Sequence, residues 1–159
     1  MNRTIRVFCT KLSGISLRKL LESLVESGHH TRIVDASLDF DIESPAWTST
    51  QLICADASPP ITLEHYIAGM HGMKVEDNID MFLEALDFLD ESWGKKEVAV
   101  YLKMTRELYV IIVRDDAGST AFKTADQCAK IIEQLGEGMV QVDNEGFYKN
   151  DELILQLKN

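Results

Sequence analysis

Glu107–Arg114, ELYVIIVR, is the stretch on which the fold turns. It is apolar almost from end to end, between a Glu and an Arg. A run of that length and composition predicts a central strand covered on both faces. On its N-terminal side, Lys96–Leu102 alternates weakly through Val98, Val100 and Leu102 and predicts a neighbouring strand beyond the turn 103–106. On its C-terminal side, Asp115-Asp116-Ala117-Gly118 predicts a hairpin turn, with Ser119–Lys123 pairing back as a short strand.

Further out the pattern continues. Thr4–Cys9 predicts a strand with Ile5, Val7 and Cys9 on one face. Ser16 is placed to cap a helix through Leu17, Leu20, Leu21, Leu24 and Val25, which Gly28 ends. The intervening Ser13–Ser16 lacks the further glycines of a dinucleotide fingerprint and the Gly-Lys-Ser/Thr of a P-loop. His30–Ala36 and Thr48–Ala55 predict strands, and Thr62 would cap a short helix over Leu63–Met70. Thr124-x-x-Gln127 has the form of a capping box in front of Ala125, Cys128, Ala129, Ile132 and Leu135. Gly136 and Gly138 end that helix, and strands follow at Met139–Val142, Phe147–Lys149 and around Leu153, Leu155 and Leu157.

This mixture predicts the α+β class: a mixed, mostly antiparallel sheet with three to four helices packed largely on one side. The length fits one domain over residues 1–159, with a possible internal hinge at 56–60, where Pro59 and Pro60 stand together.

Glu76–Glu91, EDNIDMFLEALDFLDE, predicts a single helix whose seven charges are all negative. Ile79, Phe82, Leu86, Leu89 and Trp93 fall on one side, widened by Met81, Ala85 and Phe88; the acids fall on the other. Each pair of like charges at this spacing costs roughly 0.2–0.5 kcal/mol. Asp90 and Glu91 would sit at the unfavourable, negative end of the helix dipole. No Lys or Arg lies between Lys74 and Lys95.

The charge is unevenly distributed. Residues 1–34 carry six basic and two acidic groups, 35–91 one and thirteen, and 92–159 nine and eleven, within a net −10. A negative middle third repels nucleic acid and anionic lipid and attracts basic surfaces. No apolar run approaches the length of a membrane span, and the N-terminal apolar stretch is too interrupted for a signal peptide. Three dispersed cysteines without a Cys-x-x-Cys pair disfavour disulfides and a thiolate zinc site. These features favour a cytoplasmic location.

The chemistry-bearing residues form no recognised motif. His65 and His71 are six apart, about 120° from each other on a helix, so they would not share a metal there. Asp39-Phe40-Asp41 lacks the Gly and terminal Glu of a calcium loop. Cys9, in register with Ile5 and Val7, reads as a packed core thiol. No cofactor or metal is expected.

The expectation is therefore a non-catalytic acidic interaction protein. It would engage a basic partner, as an immunity-type inhibitor does, through Glu76, Asp80, Glu84, Asp87 and Glu91. One alternative is a small enzyme joining carboxylates of the 35–43 loop to His65 or His71, or Cys9 to a distant histidine. Another is a plain structural domain with a solvated acidic face. An exposed edge strand would permit a homodimer.

Overall fold

The structure, a computed structural model, describes residues 2–34, 41–56 and 58–158. Among the described residues, eight strands form one sheet: β1 (Asn2–Cys9), β2 (Thr31–Val34), β3 (Ser49–Cys54), β4 (Ile61–Ile67), β5 (Glu107–Arg114), β6 (Gly138–Val142), β7 (Gly146–Lys149) and β8 (Glu152–Gln156). Their spatial order is β2-β3-β4-β5-β1-β6-β7-β8, and every pairing is antiparallel. The α+β class and the antiparallel sheet are thus as the sequence indicated. β5 lies between β4 and β1 and is buried from Glu107 to Ile111.

Four helices cover the sheet: α1 (Leu17–Glu26), α2 (Lys74–Leu86), α3 (Trp93–Met104) and α4 (Ser119–Gly136). The two-residue period of the strands sorts them into two layers. Ile5, Val7, Cys9, Tyr109, Ile111 and Val140 pack with Leu20 and Leu24 of α1 and Ala125, Cys128 and Ile132 of α4. Phe8, Leu108, Val110 and Met139 pack with Phe82 and Leu86 of α2 and Val98 and Leu102 of α3. The helices therefore divide two and two between the faces, a fuller cover than the largely one-sided packing expected. In the second layer Phe82 meets Phe8 and Phe147 edge to face, at 5.7 and 5.5 Å between centroids. Each such pair adds about 0.5–1.5 kcal/mol beyond the area buried.

Four expected elements are different. Residues 61–67 form strand β4, not a helix: Ile61, Leu63 and His65 alternate inward. Residues 96–102 belong to helix α3, not a strand. Val98 and Leu102 satisfy both periods, but Val100, which a strand would place on the same face, is exposed. A Cβ at Gly94 would collide with the Ile154 carbonyl, so glycine lets α3 lie close on β8. Residues 119–123 open α4 rather than forming a strand, and 115–118 turn the chain into that helix, not into a hairpin. Thr124 is accordingly a buried mid-helix residue, its hydroxyl 3.1 Å from His29 Nδ1.

The fourth difference concerns the acidic segment, which is two helices and not one. α2 ends at Leu86 in a tightened turn whose Asp87, Phe88 and Leu89 N–H groups donate three residues back. Ser92 then caps α3, its Oγ accepting from the Lys95 N–H. The break places Asp90 and Glu91 just ahead of a helix N-terminus, where the dipole favours them, instead of at a C-terminus.

Ser16 caps α1 as expected, and Gly28 follows its end with φ 86°. The 56–60 segment links β3 to β4, which pair directly with each other.

Candidate functional site

The five acids predicted as a binding face have three different fates. Glu76 Oε1 accepts from the Gly69 N–H at 3.0 Å, bracing the loop before α2. Asp80, Glu84 and Asp87 come together along an open groove of about 390 Å³ between α2 and α3. Its far wall is Lys95, Ala99 and Lys103 of α3. Glu91 pairs with Lys95 at 2.6 Å; that hydrogen bond, reinforced by the lysine's charge, holds the Glu91 carboxyl below the usual range. Lys95 also donates to the Leu89 carbonyl at 3.0 Å. The acidic face is thus flanked by cations that a strand over 96–102 would not have delivered.

The apolar residues of this region are a correction. Phe88 and Trp93 were expected on the buried side of one long helix, yet they are 90% and 70% exposed. The break after Leu86 carries both into or beyond the interhelix turn, out of phase with Phe82 and Leu86. Trp93 then begins a second apolar line: Trp93, Val100 and Met104 stand seven and four residues apart on the outer side of α3, away from buried Gly94, Val98 and Leu102. Met81 is exposed on α2 as well. Among the described residues, every large apolar side chain more than half exposed lies between Met70 and Met104. Singly scattered exposed apolar groups are ordinary; here the most exposed ones share one third of the chain.

The described groups considered for catalysis hydrogen-bond or pack within the fold. His65, on β4, is buried and stacks on Tyr109, with rings 4.4 Å apart and nearly parallel. Its Nδ1 donates to the Trp47 carbonyl at 2.9 Å, and its Nε2 lies 3.3 Å from Glu107 Oε2. The Ser13 hydroxyl donates to the other Glu107 oxygen at 2.6 Å and lies 2.9 Å from the Tyr109 hydroxyl. Burial alone would raise the Glu107 carboxyl, but the adjacent His65 ring and the Ser13 and Tyr109 hydroxyls outweigh it and hold the group below the ordinary range. Burial, then the Glu107 charge, pushes the Tyr109 phenol up. This network ties the β1–α1 loop and Trp47 to β4 and β5.

The remaining candidates stand apart from it. His71 Nδ1 accepts from the Ile67 N–H at 2.9 Å. Cys9 is buried, and burial followed by the Glu107 charge pushes its thiol well up, so it is a packed thiol as expected and a poor nucleophile. In the 35–43 loop, Asp35 and Asp39 lie outside the described residues. Asp41 accepts from the Glu43 N–H, and Glu43 pairs with Arg18. The three cysteines are free and buried. Among the described residues no group of three or more His, Cys, Asp or Glu side chains could hold a metal, and no helix is long and apolar enough to cross a membrane. Comparison with protein-family models, curated proteins and solved structures finds no match to this chain.

Proposed function

We propose that the chain is a non-catalytic interaction protein whose α2–α3 layer binds a basic partner protein, in the manner of an immunity-type inhibitor. The observation that carries this reading is the exposure of Phe88 and Trp93 in and beside a connection that also holds Asp87, Asp90 and Glu91. Aromatic side chains are the commonest energetic centres of protein interfaces, and a charged surround steers a complementary partner and excludes wrong ones. Leaving two large aromatic side chains in water forgoes about 1.5–3 kcal/mol each that burial would return. The groove lined by Asp80, Glu84 and Asp87 supplies adjacent acceptors for Lys or Arg side chains.

The test is affinity capture from cells of the native host with mass spectrometry, at low and high salt. Three baits are compared: the wild type, a Phe88→Ser/Trp93→Ser variant and an Asp80→Lys/Glu84→Lys/Asp87→Lys variant. The proposal expects a basic protein captured at low salt by the wild type alone. The same capture by all three baits contradicts it, as does a partner that is acidic or a second copy of this chain.

A further inference from the structure

The opposite face of the sheet carries a second concavity, of about 240 Å³, between α4 and strands β1, β6 and β7. Its floor is apolar: Ile5, Ala129, Val140 and Val142. The charged residues of its walls are almost all matched. Arg3 pairs with Glu145 at 2.6 Å and Asp126 at 3.2 Å, and Lys130 pairs with Asp151 at 2.7 Å. The Tyr148 hydroxyl donates to Glu145 at 2.8 Å.

Glu133 is the exception. It lines the same pocket, is only 3% exposed and, among the described residues, makes no direct ion pair. Its one hydrogen bond is long, from the Asn150 N–H to Oε2 at 3.3 Å. Asn150 and Asp151 have φ of 51° and 66° and make the tight turn from β7 to β8. Two successive left-handed residues are what a two-residue hairpin requires. That turn aims the Asn150 N–H at Glu133 and lays Asp151 against Lys130. No hydrogen bond among the described residues reaches Glu133 Oε1, which stays accessible from the pocket.

A carboxylate largely shielded from bulk water, with one oxygen open to the pocket, favours a cationic donor at that oxygen. A single open carboxylate oxygen does not make a calcium site, which needs six to eight oxygens. The apolar floor suits a short hydrocarbon body, and the volume falls below the ~300–1,000 Å³ of drug-sized sites. We infer that this pocket binds a small organic monocation, its ammonium or amidinium on Glu133 and its apolar body against Ile5, Ala129, Val140 and Val142. Burial pushes the Glu133 carboxyl up, against the Asn150 hydrogen bond and the charges of Lys149 on β7 and Lys130 on α4, and Asp151 adds to the rise. The site is on the other face from α2 and α3 and is independent of the partner proposed there.

The probe is benzylammonium, titrated against the isotope-labelled full chain by NMR, with benzyl alcohol and benzoate as the uncharged and anionic counterparts. Glu133→Gln keeps an oxygen for the Asn150 N–H and removes the charge. Ala129→Met keeps the charge and fills the floor. The expected result is saturable binding of benzylammonium, with shifts at Ala129, Val140 and Tyr148. Benzyl alcohol and each variant should bind at least about tenfold more weakly. Wild-type affinity should rise with pH as Glu133 ionises, and Glu133→Gln should lose that dependence. Equal affinity in Glu133→Gln, equal binding of benzyl alcohol, or no saturation by about 10 mM overturns the inference.

Discussion

The two faces of the sheet are finished to different degrees. On the α1–α4 face, α4 is slim where it meets the strands: Ala121, Ala125, Cys128 and Ala129 are all buried, and the helix beds closely on β1, β5 and β6. On the α2–α3 face the inner layer is equally well packed, around Phe8, Phe82 and Phe147. Its outer surface is where Met81, Phe88, Trp93, Val100 and Met104 are left in water among carboxylates. The folded core accounts for the inner residues of both layers and for none of these outer ones. The apolar residues of these two helices are buried in the fold or left in water according to phase.

The largest effects should be alike on both faces. Phe82→Ala, which empties the space between Phe8 and Phe147, should cost about 3–5 kcal/mol, and Ile132→Ala beneath α4 about 2–5 kcal/mol, by urea denaturation. A much smaller cost for Phe82→Ala would mean that the α2–α3 layer is loosely attached.

Next comes the polar strut. Glu107→Gln should destabilise by about 3 kcal/mol at neutral pH, since it strips a buried network of its charge. Because the folded protein holds this carboxyl below its ordinary value of 4.5, its contribution is complete above that pH and is lost as pH falls through the depressed value. Wild type and variant should therefore converge in acid, as followed by thermal melts from neutral pH downward. Gly94→Ala ranks below it, at about 1–3 kcal/mol, because α3 must move off the Ile154 carbonyl.

Smallest of all should be the outermost residues. Phe88→Ser and Trp93→Ser should each change stability by about 0.5 kcal/mol or less, since neither side chain is buried. A loss comparable to that of Gly94→Ala would assign these aromatics to the fold and erase the contrast between the faces.

Much of this architecture was legible in the sequence, and the misses have identifiable causes. β5 was plain because an unbroken apolar run has few other uses, and β1, α1 and β6–β8 carry clean alternation, a serine cap or paired turn residues. β4 is not plain in the sequence because Thr62 resembles a helix cap, whereas only pairing with β3 and β5 sets His65 inward with Ile61 and Leu63. α3 was hidden because Val98, Val100 and Leu102 suit either period. The acids of the candidate surface were visible as charge. Its aromatics were not, because a helix wheel drawn through Glu91 carries the phase of Phe82 across a break that Ser92 signals only weakly. The Glu133 pocket had no sequence signal at all: it is assembled from α4, two turn residues and three strands.

The central claim is that the α2–α3 surface, and not the α1–α4 surface, meets another protein. Photo-crosslinking in the native cell tests it directly, with a benzophenone amino acid placed at Phe88 in one variant and at exposed Glu22 of α1 in another. The account predicts a discrete adduct with a basic protein at position 88, lost when Asp87 and Glu91 are also changed to Lys, and none at position 22. No adduct at 88, or the same adducts at both positions, would contradict it.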